Sequence, residues 1–309
     1  MPCLQNPLRR AVRVALHLGA ALALAVAPSI AETIEVTHER GTIAIDQAPE
    51  RVFVFDLPAL DTLDALGVEI SGVPTGVKPA YLGKFNSDDY QKIGSIFEPD
   101  FEEIAAGAPD LIIAGERIAD QYDELSRIAP TVQMKIDYTD FLASAEKTNR
   151  TLAAIFGKSA EADAMIAKFE ATAGKLKAKA KEAGKALIIL TTGGRISAYG
   201  PGSRFGIIHT DFGIAPAAPD LDVATHGQAI SYEFILKTDP DYIFVIDRDA
   251  AIGRGGKSAQ ALLDNDLVNR TKAARNGHVV YLQSDAWYLS GTGLTALQTM
   301  VDELSAALD

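Results

Sequence analysis

Cysteine is nearly absent: the 309 residues hold one, Cys3. It lies in a segment expected to be removed, so no disulfide, thiolate metal site or thiol nucleophile is available to the rest of the chain. Basic residues are in deficit, 29 against 41 acidic ones for a formal net charge of −12, and Arg9, Arg10 and Arg13 all lie near the start. That balance argues against nucleic acid and anionic membrane surfaces as partners. An anionic small ligand would need a local basic pocket set against the overall field. Beyond residue 31 there is no hydrophobic run long enough to span a bilayer and no low-complexity tract. Enzyme signatures are missing as well. Gly253-Arg-Gly-Gly-Lys-Ser258 resembles a phosphate-binding loop, but the first glycine of that pattern should stand where Ala251 is, and the stretch reads instead as a flexible basic loop. Gly193-Gly194 and Gly291-Thr-Gly293 make no dinucleotide fingerprint, and neither a Gly-x-Ser-x-Gly elbow nor a His-x-x-x-His pair occurs.

The N-terminus does carry a signal. Its first 31 residues have three arginines and no acid, then an apolar run from Val14 to Ala27, then Pro28-Ser29-Ile30-Ala31. Small residues stand at the two positions a signal peptidase reads, which predicts a secretory signal peptide over residues 1–31 with cleavage after Ala31. The apolar run is about 14 residues, short of the roughly 20 that cross a membrane, and Pro28 closes it. Arg9-Arg10 lacks the surrounding twin-arginine pattern, so the general secretory route is expected. No cysteine at the cleavage point can accept a lipid, and the expected product is a free, monomeric protein of the periplasm.

The remaining length suggests two domains. Arg51-Val-Phe-Val-Phe55, Asp110-Leu-Ile-Ile-Ala114, Ala186-Leu-Ile-Ile-Leu190 and Asp241-Tyr-Ile-Phe-Val-Ile246 are short, β-rich and apolar on both faces, as buried parallel strands are. Helical patterns such as Ala59–Leu66, stopped by Gly67, lie between them, and alternating β and α units predict an α/β fold with parallel sheets. From Phe141 to Lys185 the chain is rich in Ala, Lys and Glu, lacks proline, and spaces its apolar residues as a helix does. It predicts one or two long helices, with Gly157 as the break and Gly184 as the end. The expected division is an N-terminal lobe over 32–140, a connecting helical region over 141–185 and a C-terminal lobe over 186–309.

The two flanks resemble each other. Asp100-Phe-Glu-Glu-Ile-Ala-Ala-Gly-Ala-Pro-Asp-Leu-Ile-Ile113 aligns without a gap on Ser231-Tyr-Glu-Phe-Ile-Leu-Lys-Thr-Asp-Pro-Asp-Tyr-Ile-Phe244 at an offset of 131 residues, and the same offset brings Arg117 onto Arg248. Each half then holds a helix, a Pro-Asp turn, a buried strand and an arginine past the strand's carboxyl end. Ligands of open parallel sheets sit outside those ends, so two facing lobes would point Arg117 and Arg248 into one cleft.

Five stretches carry a family resemblance: Tyr199-Gly-Pro-Gly-Ser-Arg-Phe-Gly-Ile-Ile-His209, Thr225-His-Gly227, Ser231-Tyr-Glu-Phe-Ile-Leu236, Asp241-Tyr-Ile-Phe-Val-Ile-Asp-Arg248 and Trp287-Tyr-Leu-Ser-Gly-Thr-Gly293. Together they resemble the helical-backbone class of ABC-importer binding proteins, and within it the receptors for catecholate siderophores. The resemblance implies two Rossmann-like lobes with central parallel sheets joined by a long interdomain helix. It implies a stoichiometric binder with no catalytic role and no intrinsic cofactor, whose ligand is Fe(III) carried as a ferric siderophore complex. It further implies that Arg117, Arg204 and Arg248 form a cationic pocket, that His226 and Tyr288 reach the iron, and that Glu102 and Glu233 dock on arginines of the importer's permease. The chemistry is coherent, because iron(III) prefers oxygen donors in a roughly octahedral array and two catecholates leave two positions open. A phenolate and an imidazole could fill them, and guanidinium forks suit the catecholate oxygens.

Plainer readings stand beside these. His226 could be an ordinary loop histidine, Tyr288 a packed aromatic, and Glu102 and Glu233 first-turn acids that favour the positive helix end. His38, His209 and His278 are expected to be structural. A hydroxamate siderophore, haem or a cobalamin on the same scaffold is the alternative cargo, and a periplasmic α/β enzyme using His226 and Tyr288 as acid and base is the alternative class.

Overall fold

Where the sequence alternates short apolar runs with helical patterns, the structure forms two separate sheets. The computed structural model describes Met1 and residues 33–46, 49–223 and 226–309. The expected leader with its cleavage point, Cys3 and Thr225 lie outside the described residues. After an antiparallel hairpin of β1 (Thr33–His38) and β2 (Gly41–Asp46), the first sheet takes β3 (Val52–Val54), β4 (Gly72–Val73), β5 (Gln91–Lys92), β6 (Leu111–Ala114) and β7 (Thr131–Gln133). Its order is β5-β4-β3-β6-β7 and every pairing is parallel. Val52, Phe53, Val54, Leu111, Ile112 and Ile113 are fully buried, as strands covered on both faces must be. Around them pack α1 (Leu57–Ala65), α2 (Phe101–Gly107) and α3 (Tyr122–Ile128).

The helical region forms two consecutive helices, α4 (Phe141–Ile155) and α5 (Ser159–Ala180), broken at Gly157. The break falls at Gly157 as the sequence suggests, and α5, at 22 residues, is the long helix of the connection. The second sheet contains β8 (Lys185–Thr192), β9 (Arg195–Tyr199), β10 (Ala215–Pro216), β11 (Gln228–Ala229), β12 (Tyr242–Asp247) and β13 (Val279–Tyr281), in the order β11-β9-β8-β12-β13 with β10 also on β8. Its centre, β8-β12-β13, is parallel, but β9 runs antiparallel to β8. This departs from a purely parallel sheet for a local reason. Gly193 and Gly194 both have positive φ, 55° and 76°, the pair of left-handed residues that a two-residue hairpin turn requires. Among the described residues no helix is long and apolar enough to cross a membrane.

The internal repeat holds at the level of single hydrogen bonds. Asp100 caps α2 by accepting from Glu103 N, and Ser231 caps the helix Tyr232–Thr238 by accepting from Phe234 N. Both helices end on a left-handed residue at equivalent positions, Ala108 (φ 44°) and Asp239 (φ 43°). Asp110 then accepts from Arg51 N at 2.8 Å, and its counterpart Asp241 accepts from Lys185 N at 2.8 Å. In each half the aspartate ties the repeated strand to the start of its parallel neighbour.

The two sheets are joined by a buried polar contact as well as by helices. The terminal helix Leu294–Ala307 has Gly293 at its start and no cap of its own. Asp61, fully buried on α1, supplies one, accepting from Thr295 N (2.7 Å) and Ala296 N (3.1 Å). Tyr81 donates to the same carboxylate at 2.5 Å, and Ser290 Oγ lies 2.6 Å from Tyr81 Oη. Beside it, Thr62 donates to Asn149 Oδ1 (2.6 Å) and Asn149 Nδ2 donates to Thr292 O (2.9 Å). Gly293 is required here, since a Cβ on it would stand 2.5 Å from Asp61 Cγ. Helix N-termini carry unpaired N–H groups and a positive dipole end, so a carboxylate from the opposite lobe is well matched to this one.

Burial pushes the Asp61 pKa up to about 6, against the opposing effect of its Tyr81, Thr295 and Ala296 hydrogen bonds. The folded protein therefore holds a proton that the unfolded chain releases between about pH 4 and 6. This contribution to stability is fully present below the unfolded value and is lost as pH rises through 6. Asp61→Asn, which does not titrate, is expected to gain on the wild type by roughly 2 kcal/mol between pH 4 and 7 in denaturant unfolding. Asp61→Ala, which strands the buried donors, is expected to cost about 2–4 kcal/mol at pH 7. A stability difference between wild type and Asp61→Asn that stays constant with pH would show that the carboxyl does not titrate in this window.

Candidate functional site

The carboxyl ends of both sheets supply the polar groups of one site. β3 leads to Phe55 and Asp56, β6 to Gly115 and Arg117, β8 ends at Thr192, and β12 runs into Arg248. A small cavity is lined by Phe55, Asp56, Ile96, Arg117 and, from the C-terminal lobe, Leu289. Asp56 caps α1 by accepting from Ala59 N at 2.9 Å. Its burial pushes its pKa up to about 6, against the opposing effects of that bond and the Arg117 charge.

Tyr288, Arg204 and Arg248 form a stack. The Arg204 guanidinium lies 4.4 Å from the Tyr288 ring centroid and that of Arg248 lies 5.4 Å from it. Arg248 Nε donates to Tyr288 Oη at 2.7 Å, and its Nη1 donates to Thr192 Oγ1 at 3.2 Å. Arg204 Nη2 donates to Tyr288 O at 2.5 Å. It is presented by the Gly-Pro-Gly-Ser turn after β9, where Ser203 Oγ closes the turn on Gly200 O at 2.6 Å. Desolvation pulls the Tyr288 pKa up, but the Arg248 hydrogen bond and the charges of Arg204, Arg248 and Arg117 outweigh it, and the phenol stands below its ordinary value. Burial lowers the pKa of Arg204. Among the described residues none of Arg117, Arg204 and Arg248 has a carboxylate within ion-pair distance. Asp56 feels the Arg117 charge, but with none of the three cations ion-paired their donors stay open to an anionic ligand.

Arg117 faces this stack from the other lobe, close enough for its charge to act on Tyr288 and Arg204. His226 is not brought into contact with Tyr288. It occupies an exposed turn before β11, while its neighbour Gly227 lies so close to Tyr199 that a Cβ would stand 2.7 Å from the ring. Glu102 and Glu233 are exposed in the first turns of the two repeated helices, at the carboxyl-end side of their sheets. His209 is buried with Nδ1 2.7 Å from Ile214 O, and His278 stacks 4.3 Å from the Tyr242 ring. Both therefore serve packing. Among the described residues no group of three or more His, Cys, Asp or Glu is placed to hold a metal ion.

Sequence reasoning missed three residues. Tyr138, at the start of the helical connection, feels Arg204 and Arg117, and desolvation raises its phenol pKa. Thr192 holds Arg248, and Phe97 stacks with Arg117. Each follows a strand's carboxyl end or closes one, and that was the signal available.

The profile of the family described as Periplasmic binding protein matches residues 54–286. The petrobactin-binding protein YclQ of Bacillus subtilis is 41% identical over 283 residues, covering 90% of this chain and 89% of its own. Its crystal structure superposes with a TM-score of 0.86 over 90% of this chain and 99% of that one. The ferric-anguibactin-binding protein FatB of Vibrio anguillarum is 34% identical, covering 88% and 86% of the two chains. The periplasmic catecholate-siderophore binding protein VctP of Vibrio cholerae, also 34% identical, superposes with a TM-score of 0.84 over 89% of this chain and all of that one.

Because its pKa is depressed, Tyr288 is expected to be an early tyrosine to ionise as pH is raised. In an ultraviolet titration of the ligand-free protein, Tyr288→Phe should remove the lowest-pH phenolate transition. An unaltered titration curve would mean that the arginines do not act on this phenol.

Proposed function

Because the chain belongs to the Periplasmic binding protein family, whose profile spans residues 54–286, we propose that it is the exported receptor of an ABC importer and that its cargo is a ferric siderophore of the catecholate type. One observation carries the reading: Arg117, Arg204 and Arg248, none of them ion-paired among the described residues, act from two lobes on a phenol of depressed pKa. The names of the relatives support it, since YclQ and FatB are named for siderophores and VctP for catecholate siderophores. Iron enters as cargo already chelated, so the protein need supply only what the chelator leaves open. A bis-catecholate iron(III) complex is a net anion with two free positions. The guanidinium forks take its oxygens, and the Tyr288 phenolate takes one iron position. His226 takes the other from its exposed turn, which must fold over the ligand to reach it. The mature monomer begins at Glu32 in the periplasm, and Glu102 and Glu233 form matched acidic knobs, one on each repeat, for arginines of the permease.

Ligands that differ in open iron positions separate coordination from charge capture. Tyr288→Phe and His226→Ala should each weaken a ferric bis-catecholate by about 1–3 kcal/mol, and Tyr288→Phe should also remove a phenolate-to-iron absorption band. A ferric tris-catecholate fills the metal and should be much less affected. Arg117→Gln, Arg204→Gln and Arg248→Gln should weaken both. If the first two variants leave bis-catecholate affinity and spectrum untouched, direct ligation is wrong. Tighter binding of ferric citrate or a ferric hydroxamate by the wild type would overturn the catecholate assignment itself.

The docking role has a separate readout. Reversal of both acids, Glu102→Arg with Glu233→Arg, should abolish transport of the bound ligand by the permease and leave ligand affinity within about twofold, because like charges would then meet. Loss of ligand binding in that variant would move the acids into the cleft.

A further inference from the structure

Of the exposed large apolar side chains within residues 49–140, Val77, Phe97, Phe101 and Tyr138, Phe97 stands furthest in water. Phe97 is 55% exposed and sits at the tip of the connection from β5 to α2. That connection is tied down. Ser95 Oγ accepts from Phe97 N (3.2 Å) and Glu98 N (3.0 Å), Ser95 N donates to Glu98 O (2.8 Å), and Gly94 bridges to Pro99. The loop after β4 braces it, since Thr75 donates to Gly94 O from its N–H (2.7 Å) and its hydroxyl (3.0 Å). Ile96 takes the inward place, lining the cavity shared with Arg117 and Leu289, and Phe97 is left outside.

A single exposed aromatic is ordinary on a protein surface. Three features together set this one apart: a rigid turn, a place beside the cleft, and an arginine on its face. The Arg117 guanidinium lies 5.3 Å from the Phe97 ring centroid, and among the described residues Arg117 has neither an ion pair nor a side-chain hydrogen bond. The ring thus gives the cation contributed by this lobe a defined side-chain contact. A guanidinium stacked by its plane keeps its edge donors free for ligand oxygens, and an exposed ring offers offset or edge-on packing to another ring.

We propose that Phe97 is a positioning and specificity residue of the cleft, holding Arg117 in place and offering its ring to the aromatic rings of the ligand, so that catechol-based chelators are favoured over aliphatic citrate or hydroxamate chelators. This rests on the catecholate reading above. The test measures quenching of intrinsic fluorescence by the ferric complex of a linear bis(2,3-dihydroxybenzamide) chelator, with a ferric trihydroxamate in parallel. Phe97→Leu, which keeps apolar volume and loses the ring, should bind the bis-catecholamide about 5- to 10-fold more weakly, and Phe97→Tyr should stay within about twofold of wild type. In an Arg117→Gln background the Phe97→Leu loss should shrink, and the thermal midpoint of the ligand-free protein should not move. Unchanged binding in Phe97→Leu, equal losses in the Leu and Tyr variants, an undiminished loss without Arg117, or a lowered thermal midpoint would each overturn the proposal. Those outcomes leave the catecholate reading standing. Preference of the wild type for the trihydroxamate would instead overturn that reading, and aromatic selectivity with it.

Discussion

Asp61 carries a carboxylate that water does not reach, held by two N–H groups at the start of the terminal helix and by the Tyr81 phenol. Moving a charge into such a place is costly unless its partners are well aimed, and the rise of its pKa to about 6 measures how incompletely they compensate. The contact persists because it joins the lobes at a point where both have unpaired polar groups. It also fixes what lies just upstream of the terminal helix. Tyr288 is on the short helix Ser284–Leu289, and Ser290, Thr292 and Gly293 are each engaged with Tyr81, Asn149 or Asp61. The orientation of Tyr288 toward the N-terminal lobe is thus inherited from the anchor.

The cleft is the complementary case, with cations gathered and, among the described residues, none of them ion-paired. Arg204 lies against the Tyr288 ring and Arg248 holds its hydroxyl, and repulsion between them is moderated by the π-face and by the Tyr288 oxygens. Placement costs of this kind are met by folding, before any ligand arrives, so less ordering remains to oppose binding. The overall acidity of the chain adds to the contrast, with the basic site set in a field of formal charge −12.

Much of this was legible in the sequence because it is periodic or repeated. The offset of 131 residues found α2 and its counterpart, their Pro-Asp turns and their strands, since the same local physics of cap, left-handed stop and carboxylate tie operates twice. The antiparallel β9 was hidden because its cause is the backbone conformation of Gly193-Gly194, which apolar periodicity does not report. Asp61 was hidden because an acid within Ala59–Leu66 reads as a solvent-facing helix residue, and it is buried only by Tyr81 together with the terminal helix that approaches from more than two hundred residues away. Residue types at the cleft were readable through resemblance. That Tyr288 is clasped by Arg204 and Arg248, while His226 stands apart on a turn, depends on side-chain directions that no motif specifies.

The cleft is also lopsided in a way the repeat would not suggest. The repeat gives each lobe one arginine, Arg117 and Arg248, but the phenol and the second arginine of the stack belong to the C-terminal lobe alone. The field at Tyr288 therefore has two parts, a local one from Arg204 and Arg248 that moves with it, and a remote one from Arg117 across the cleft. Any separation of the lobes weakens only the remote part, and by Coulomb's law does so gradually, because Arg117 makes no hydrogen bond to the ring. The Tyr288 phenol is thus acidified chiefly by its own lobe, and the opposite lobe adds to that through one cation, Arg117, which lies against Phe97.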